Sequence, residues 1–409
     1  MMRILAAVAV GLAGPAVASD SSWVHILWSA PLIIGAAFLV AWGAEALQFM
    51  VSQGLALAML AWLQTLPEFA VEAVIAWHAG HDGPSCFVAA PPAGCTSHLA
   101  VANFTGAIRL LVGLGWPMIY AVSAISSRRR GKPLGAIVLD DHHAVEVLGT
   151  VPPLAYFVWV WHKGALGPVD AAVLIAMYAA YLAVLWRLPP EREEGLADAP
   201  AVSRWAYTRP GPWRAITIAG LFLAGGALIY LTAHPFLESM LALATTLGVS
   251  HFVFVQWVAP FVSEFPEKVS AFHWASRTGK APMAMMNMMS SNINQWTVLA
   301  AMIPIAFSLA RGTPAALPFD GAQRDEILLT IMQSVVAVLL LLNLKFEWWN
   351  ATLLFALWLA QFLVPAWRDA ITWAYGAWAL GLVVSWPWLR PVAVPTFLRL
   401  LQGRGPRAR

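Results

Sequence analysis

Apolar runs of about 20 residues, the length a helix needs to cross a bilayer, recur along almost the whole chain. On that measure, spans fall near 25–46, 48–78, 98–124, 144–162, 168–188, 214–233, 237–275, 283–310, 326–344, 349–365 and 370–389. Of the 409 residues, 60% are hydrophobic and 11% charged, against roughly 45–50% and 25% in soluble domains. So little polar surface excludes a soluble globular, disordered or disulfide-scaffold chain. The 22 Trp suit a protein with many membrane–water interfaces. The expected fold class is an all-α polytopic membrane protein of about 11 transmembrane helices. A net charge of +3, held mostly in loops and tail, gives no ground for a nucleic-acid partner; the lipid bilayer is the expected one.

Residues 1–19 pair Arg3 with a short apolar core and the small residues Ala16 to Ser19, the layout of a signal peptide. A retained short helix is the alternative. The longest polar connection, 189–213, carries Glu191, Arg192, Glu193 and Glu194 and reads as a solvated cytoplasmic linker. With the mature N-terminus outside, inward loops and tail hold 17 Lys and Arg, and outward loops hold four (Lys163, Arg311, Arg324 and Arg368). That bias puts the C-terminus in the cytoplasm, in what is expected to be a bacterial inner (plasma) membrane. Cys86 and Cys95, the only cysteines, both fall in the outward loop 79–97, where an oxidising compartment permits a disulfide. Two free thiols are the alternative.

Charge inside a span is costly and marks a functional site. It concentrates in two long spans. One reads Gln-Thr-Leu-Pro-Glu-Phe-Ala-Val-Glu from Gln64 to Glu72, the other Pro-Phe-Val-Ser-Glu-Phe-Pro-Glu-Lys from Pro260 to Lys268. Each sets Pro beside Glu in mid-membrane, where Pro removes a donor and breaks the helix. A span with polar residues follows each: Asn103 to Arg109 after the first, and Asn287, Ser290, Ser291 and Asn294 on one helix face after the second. By the loop count the two modules run in opposite senses, the inverted repeat of secondary transporters. Residues 25–188 read as the first five-helix repeat, 214–365 as the second, 366–389 as an extra helix, and 390–409 as a basic cytoplasmic tail. Carboxylates with amide and hydroxyl oxygens are hard ligands, suited to Ca2+, Na+ or a proton.

These segments resemble the sodium/calcium exchanger membrane region of the cation/calcium exchanger superfamily. Its members carry two inverted repeats, each with Gly-Thr-Ser-x-Pro-Glu and a later Gly-Asn-x-x-Gly-Ser-Asn. Trp42 to Leu47 before the first motif and Leu241 to Ser250 before the second extend the likeness over most of 25–365. The resemblance implies that Glu68 and Glu267 ligate the transported cation. Its hydroxyl positions fall on Gln64 and Thr65, and on Ser263 and Glu264. Its asparagines fall on Asn103, Asn287 and Asn292, and its serine on Ser291. The implied function is secondary active antiport of Ca2+ or another cation against Na+ or H+, by alternating access, with no cofactor. The chain departs from the pattern at Ala107 and Ile108, and adds Arg109, Lys268, Glu72 and Glu264 as candidate modulators. Counting these, four carboxylates face two cations, and the expectation is that Arg109 or Lys268 pairs internally and stands in for a bound ion.

Glu45 and Glu238 read as interfacial, and His78, His81, His98 and Asp82 as a solvated outer loop. Asp140, Asp141, His142 and His143 read as a polar helix start, and the methionines from Met283 to Met289 as packing rather than copper ligands. The chain has no His-Glu-x-x-His, Gly-x-Ser-x-Gly or phosphate-loop motif, so an enzyme is not expected. The alternative to an antiporter is a non-transporting ion sensor, or a degenerate exchanger scaffold.

Overall fold

The computed structural model describes residues 22–47, 49–50, 65–88, 95–187, 196, 199–385 and 391–402. The signal-peptide reading of 1–19, and Gln64, lie outside them. The first half comprises α1 (Ile26–Leu47), α2 (Leu66–His81), α3 (Ser97–Leu110), α4 (Trp116–Arg129), α5 (Ala144–Gly149), α6 (Val151–Lys163) and α7 (Pro168–Arg187). A short connecting helix, α8 (Ala201–Tyr207), leads to the second half. This comprises α9 (Pro212–Thr246), α10 (His251–Ser263), α11 (Phe265–Ser276), α12 (Ala281–Asn294), α13 (Ala300–Arg311), α14 (Gly321–Leu341) and α15 (Trp348–Leu363). Beyond it stand α16 (Arg368–Val384) and α17 (Ala393–Leu401). Among the described residues, six helical stretches are long and apolar enough to cross a membrane.

The two halves mirror each other where the sequence periodicity gave no hint. Helix α3 passes into α4 through a π-helical segment, Leu111–Gly115, and α12 passes into α13 through another, Gln295–Leu299. The two segments lie 184 residues apart, the same spacing as Asn103 and Asn287. π-segments gather at functional sites because they shift the side-chain register. Two short antiparallel ribbons repeat the relationship. β1 (Ala136–Val138) pairs with β4 (Lys345–Glu347), and β2 (Ala165–Leu166) with β3 (Leu317–Pro318). The first ribbon joins loops after α4 and α14, and the second joins loops after α6 and α13, so exchanging the halves exchanges the ribbons.

One apolar core lies toward the end of the bundle carrying Arg128–Arg130, here the basic face. Met283, Met285, Met288 and Met289 fill it with Trp116 and Phe346, which bears out their reading as packing. A second core, around Phe104, Phe157 and Trp296, lies toward the other end. That end carries the disulfide Cys86–Cys95, with Cα atoms 5.4 Å apart. Asp82 there accepts the backbone N–H groups of Thr96 (2.8 Å) and Ser97 (2.7 Å), so it starts α3 rather than standing solvated. Asp140 forms a capping box with His143, as a polar helix start should.

Three expectations need correction. The spans drawn at 214–233 and 237–275 divide near Pro235, but α9 runs unbroken from Pro212 to Thr246 with Pro235 inside it. One proline removes a single donor, and the apolar flanks continue the helix past it. The chain turns instead at Gly248, whose φ of +66° suits only glycine well. Glu45 is buried rather than interfacial, and Ser203 of α8 donates to it at 2.9 Å. The linker is therefore partly folded, with Ser203 and Ala206 buried against α1.

Helices α3 and α10 touch backbone to backbone at Gly106, where an added Cβ would sit 1.8 Å from the Gln256 carbonyl oxygen. Backbone cannot rotate away as a side chain can. Gly106→Ala is therefore expected to destabilise the folded protein by about 3 kcal/mol, the top of the usual overpacking range. Gly35→Ala, with open space around it, is expected to leave thermal unfolding in detergent unchanged. Equal melting temperatures for the two variants would contradict this close approach.

Candidate ion site at the broken helices

Pro67 stands in the first turn of α2 and Pro266 in the first turn of α11, so in each half the motif glutamate falls in the first turn of a helix. In the first half this buries Thr65, Glu68 and Glu72, the two glutamates one turn apart on one face. In the second half it buries Ser263, Glu264, Glu267 and Lys268. Glu264 occupies the single residue between α10 and α11.

Gln295, the first residue of the second π-segment, joins the halves. Its Nε2 donates to both oxygens of Glu68 (3.3 and 3.2 Å) and to Oε1 of Glu264 (2.8 Å). The other oxygen of Glu264 takes the Lys268 ammonium. Glu68 is within electrostatic reach of Glu264, Glu267 and Glu72. Glu267 lies beside Ser291 and faces Glu264 and Lys268. Asn103 donates to Glu72 at 2.6 Å, and Ser263 donates to the Ala259 carbonyl at 2.9 Å, which leaves its oxygen lone pairs available.

Among the described residues, several buried oxygens here have no hydrogen-bond partner: both of Glu267, and one each of Glu72, Asn103, Asn294 and Gln295. Buried polar atoms are normally satisfied, and a group of orphans at one place points to a bound ion. The donor set is carboxylate and amide oxygen, which fits a hard cation.

Arg109 belongs elsewhere, so the expected balance of four carboxylates against two cations becomes four against Lys268 alone. Arg109 pairs with Glu326 of α14. Its Nη1 donates to Gln361 (2.9 Å), and its guanidinium lies 5.2 Å from the Trp257 ring centroid. Glu326 also pairs with Arg368 and accepts from Gln256 at 2.9 Å.

The sequence profile of the family described as sodium/calcium exchanger protein matches residues 21–187 and 217–367. The chain belongs to the sodium/calcium exchanger family. It is an integral membrane protein with that family's two-repeat fold. A solved structure described as the H+/Ca2+ exchanger CAX is 30% identical, with a TM-score of 0.86 and 98% of each chain covered. The sodium-calcium exchanger NCX_Mj is 18% identical and covers 84% of this chain and 97% of its own, with a TM-score of 0.53, a likeness of fold alone. No curated protein sequence matches the chain.

Of the residues expected from the exchanger motifs, Glu68, Glu267, Ser291 and Asn103 gather with Glu72, Glu264 and Lys268. Asn287 shares a helix face with Ser291 and Asn294, and its amide nitrogen lacks a partner. Asn292 points elsewhere and lines a small cavity with Trp116, Thr150 and Ser334. Gln295 and Glu326 were missed by the sequence reading. Gln295 lies one turn beyond Ser291, at the edge of the stripe through Asn287 and Asn294, and the sequence reading ended that stripe one residue short of it. Glu326 lies at the drawn start of a span and looks like a helix end.

Proposed function

We propose that this exchanger-family member is a secondary active antiporter moving Ca2+ one way and protons the other. The carrying observation is the Gln295 amide held between carboxylates of opposite halves. An N–H donor between two carboxylates occupies the kind of place a bridging cation takes. Turning the amide would offer its oxygen to such a cation in place of its nitrogen. Glu68 and Glu267 are the proposed principal ligands, with Glu264, Gln295, Asn103, Asn287, Ser291, Thr65 and Ser263 around them. Asn292 is left out because it faces another cavity. Lys268 is a tethered cation that neutralises Glu264, and Glu72 adds a carboxylate one turn from Glu68.

Protons are favoured over Na+ by what the first half lacks. At the repeat spacing, Ser291, Asn292, Asn294 and Gln295 correspond to Ala107, Ile108, Leu110 and Leu111. Those apolar positions offer no oxygen for additional Na+, whereas a carboxylate needs no further ligand to take a proton. The described similarity to a 30% identical H+/Ca2+ exchanger supports the same reading. With it go eleven spans, repeats at 25–188 and 214–365, a linker at 189–213, the extra helix at 366–389 and the tail at 390–409. The basic face is proposed to be cytoplasmic, in a bacterial inner membrane, following the bias of Lys and Arg.

The test is flux in proteoliposomes. A pH gradient is expected to drive 45Ca2+ uptake with counter-movement of protons, and a Na+ gradient at equal pH is not. Because each proton displaced must leave before Ca2+ binds, Ca2+ affinity should rise with pH, by up to about tenfold per unit for each proton. Flux driven by Na+ alone would reassign the coupling ion. No gradient-driven flux of any cation would leave a scaffold without transport.

A further inference from the structure

The basic-face end holds a buried acid that the ion site does not use. Glu146 lies in the first turn of α5 and is 3% exposed. It is within electrostatic reach of Tyr181 of α7, itself nearly buried. The Tyr181 hydroxyl is 3.3 Å from Ser290 Oγ on α12. Ser290 immediately precedes Ser291, which lies beside Glu267. Three helices thus contribute a carboxylic acid and two hydroxyls in order, ending on the helix that carries the ion site. Gly149 keeps the file in place. An added Cβ there would lie 3.0 Å from the Tyr181 ring and 3.2 Å from Ile293, so the missing side chain lets the ring fit between α5 and α12.

We propose that Glu146 is a second proton-binding site, which loads protons at the basic face and passes them through Tyr181 and Ser290 toward Glu267. The assignment rests on the proton coupling proposed above. A hydroxyl both donates and accepts, so one proton moves per transfer. As Glu146 gives its proton to the Tyr181 oxygen, the Tyr181 hydroxyl proton passes to Ser290, and the Ser290 proton moves on toward the Glu267 carboxylate. The reverse sequence returns protons to the basic face.

Other titratable and charged groups around Glu146 come from the elements packed against it. Its own approach carries Asp140, Asp141, His142 and His143, and α7 supplies Tyr178 beside Tyr181. Helix α17 supplies Arg399, 3.8 Å from Asp141, and packs Phe397 and Leu400 over the Tyr178–Tyr181 cluster. Helix α12 carries no ionisable residue, and the charged residues of α14 lie in its first turns, far along the helix. Glu146 is thus the acid placed between the basic face and Tyr181.

Two reactions of the reconstituted protein separate proton delivery from Ca2+ handling. Exchange of 45Ca2+ for unlabelled Ca2+ moves no net proton, whereas uptake driven by a pH gradient does. Glu146→Gln is expected to keep self-exchange within about twofold and to slow pH-driven uptake roughly tenfold or more, within what a positioned proton donor contributes. Its dependence on basic-face pH should flatten. Tyr181→Phe should act in the same direction, and Glu146→Asp should restore most of the rate. These two variants carry the test if Glu146→Gln does not fold. A wild-type pH-driven rate in Glu146→Gln overturns the proposal, and so does an equal loss of both reactions, which marks a purely structural acid. Wild-type protein that self-exchanges Ca2+ yet shows no pH-driven uptake overturns proton coupling itself, a result read without any variant.

Discussion

Glu68→Gln is expected to abolish measurable Ca2+-driven exchange while leaving the protein folded. The substitution keeps the shape of the side chain and removes one charge from a site where Glu68 and Glu264 share the Gln295 amide. Removing one partner of a buried charge interaction costs about 2–5 kcal/mol. At tenfold per 1.4 kcal/mol, that is roughly 30- to 4,000-fold in affinity. Folding should survive because the carboxylates crowd one another without a cation, so removing one charge relieves repulsion. The check is 45Ca2+ binding and flux of the purified variant beside its melting temperature. Retained flux within about threefold of wild type would remove Glu68 from the site.

Glu326→Ala carries the second large effect, on stability rather than transport. Glu326 pairs with both Arg109 and Arg368, and Arg109 is fully buried. Deleting the shared acid strands two guanidiniums at once, and breaking a buried pair typically costs about 3–5 kcal/mol. Arg109→Met combined with Glu326→Met removes the inner charge together with its partner, and leaves Arg368, the most exposed of the three. That double variant is expected to be more stable than Glu326→Ala by at least about 2 kcal/mol. Thermal unfolding of both in detergent gives the comparison. A double variant no more stable than the single one would mean that packing by these side chains, not charge pairing, holds α3 against α14.

The halves differ in how much of the site their residues announce. Glu68, Glu264, Glu267 and Lys268 were legible because charge beside proline is too costly in an apolar span to persist there without a role. The disulfide was legible as the one pairing available in the chain. Lys268 pairs with Glu264, whereas Arg109 serves a separate network. Its partner Glu326 could not be found by periodicity, and the bridging Gln295 was passed over at the end of the polar stripe. Gln295 stands at the edge of the polar stripe, where its amide becomes informative only once Glu68 of the other half is placed against it, and Glu326 needs the packing of α14 against α3 to become buried. Pro235 misled for the converse reason: its signal is local, and the surrounding helix overrides it.

The Arg109–Glu326 pair also fixes an order of events during synthesis. Its members lie 217 residues apart in the sequence. At roughly 5–20 residues per second the acid emerges some 10–40 s after the arginine. Through that interval the third span carries a cation whose native counter-charge has not been made. The ribbons between β1 and β4 and between β2 and β3 wait on the same late residues. The first half therefore leaves the ribosome with these contacts still to be made. A chain stopped before α14 should be recognised by quality-control proteases, even though it already holds the six helical stretches that are long and apolar enough to insert.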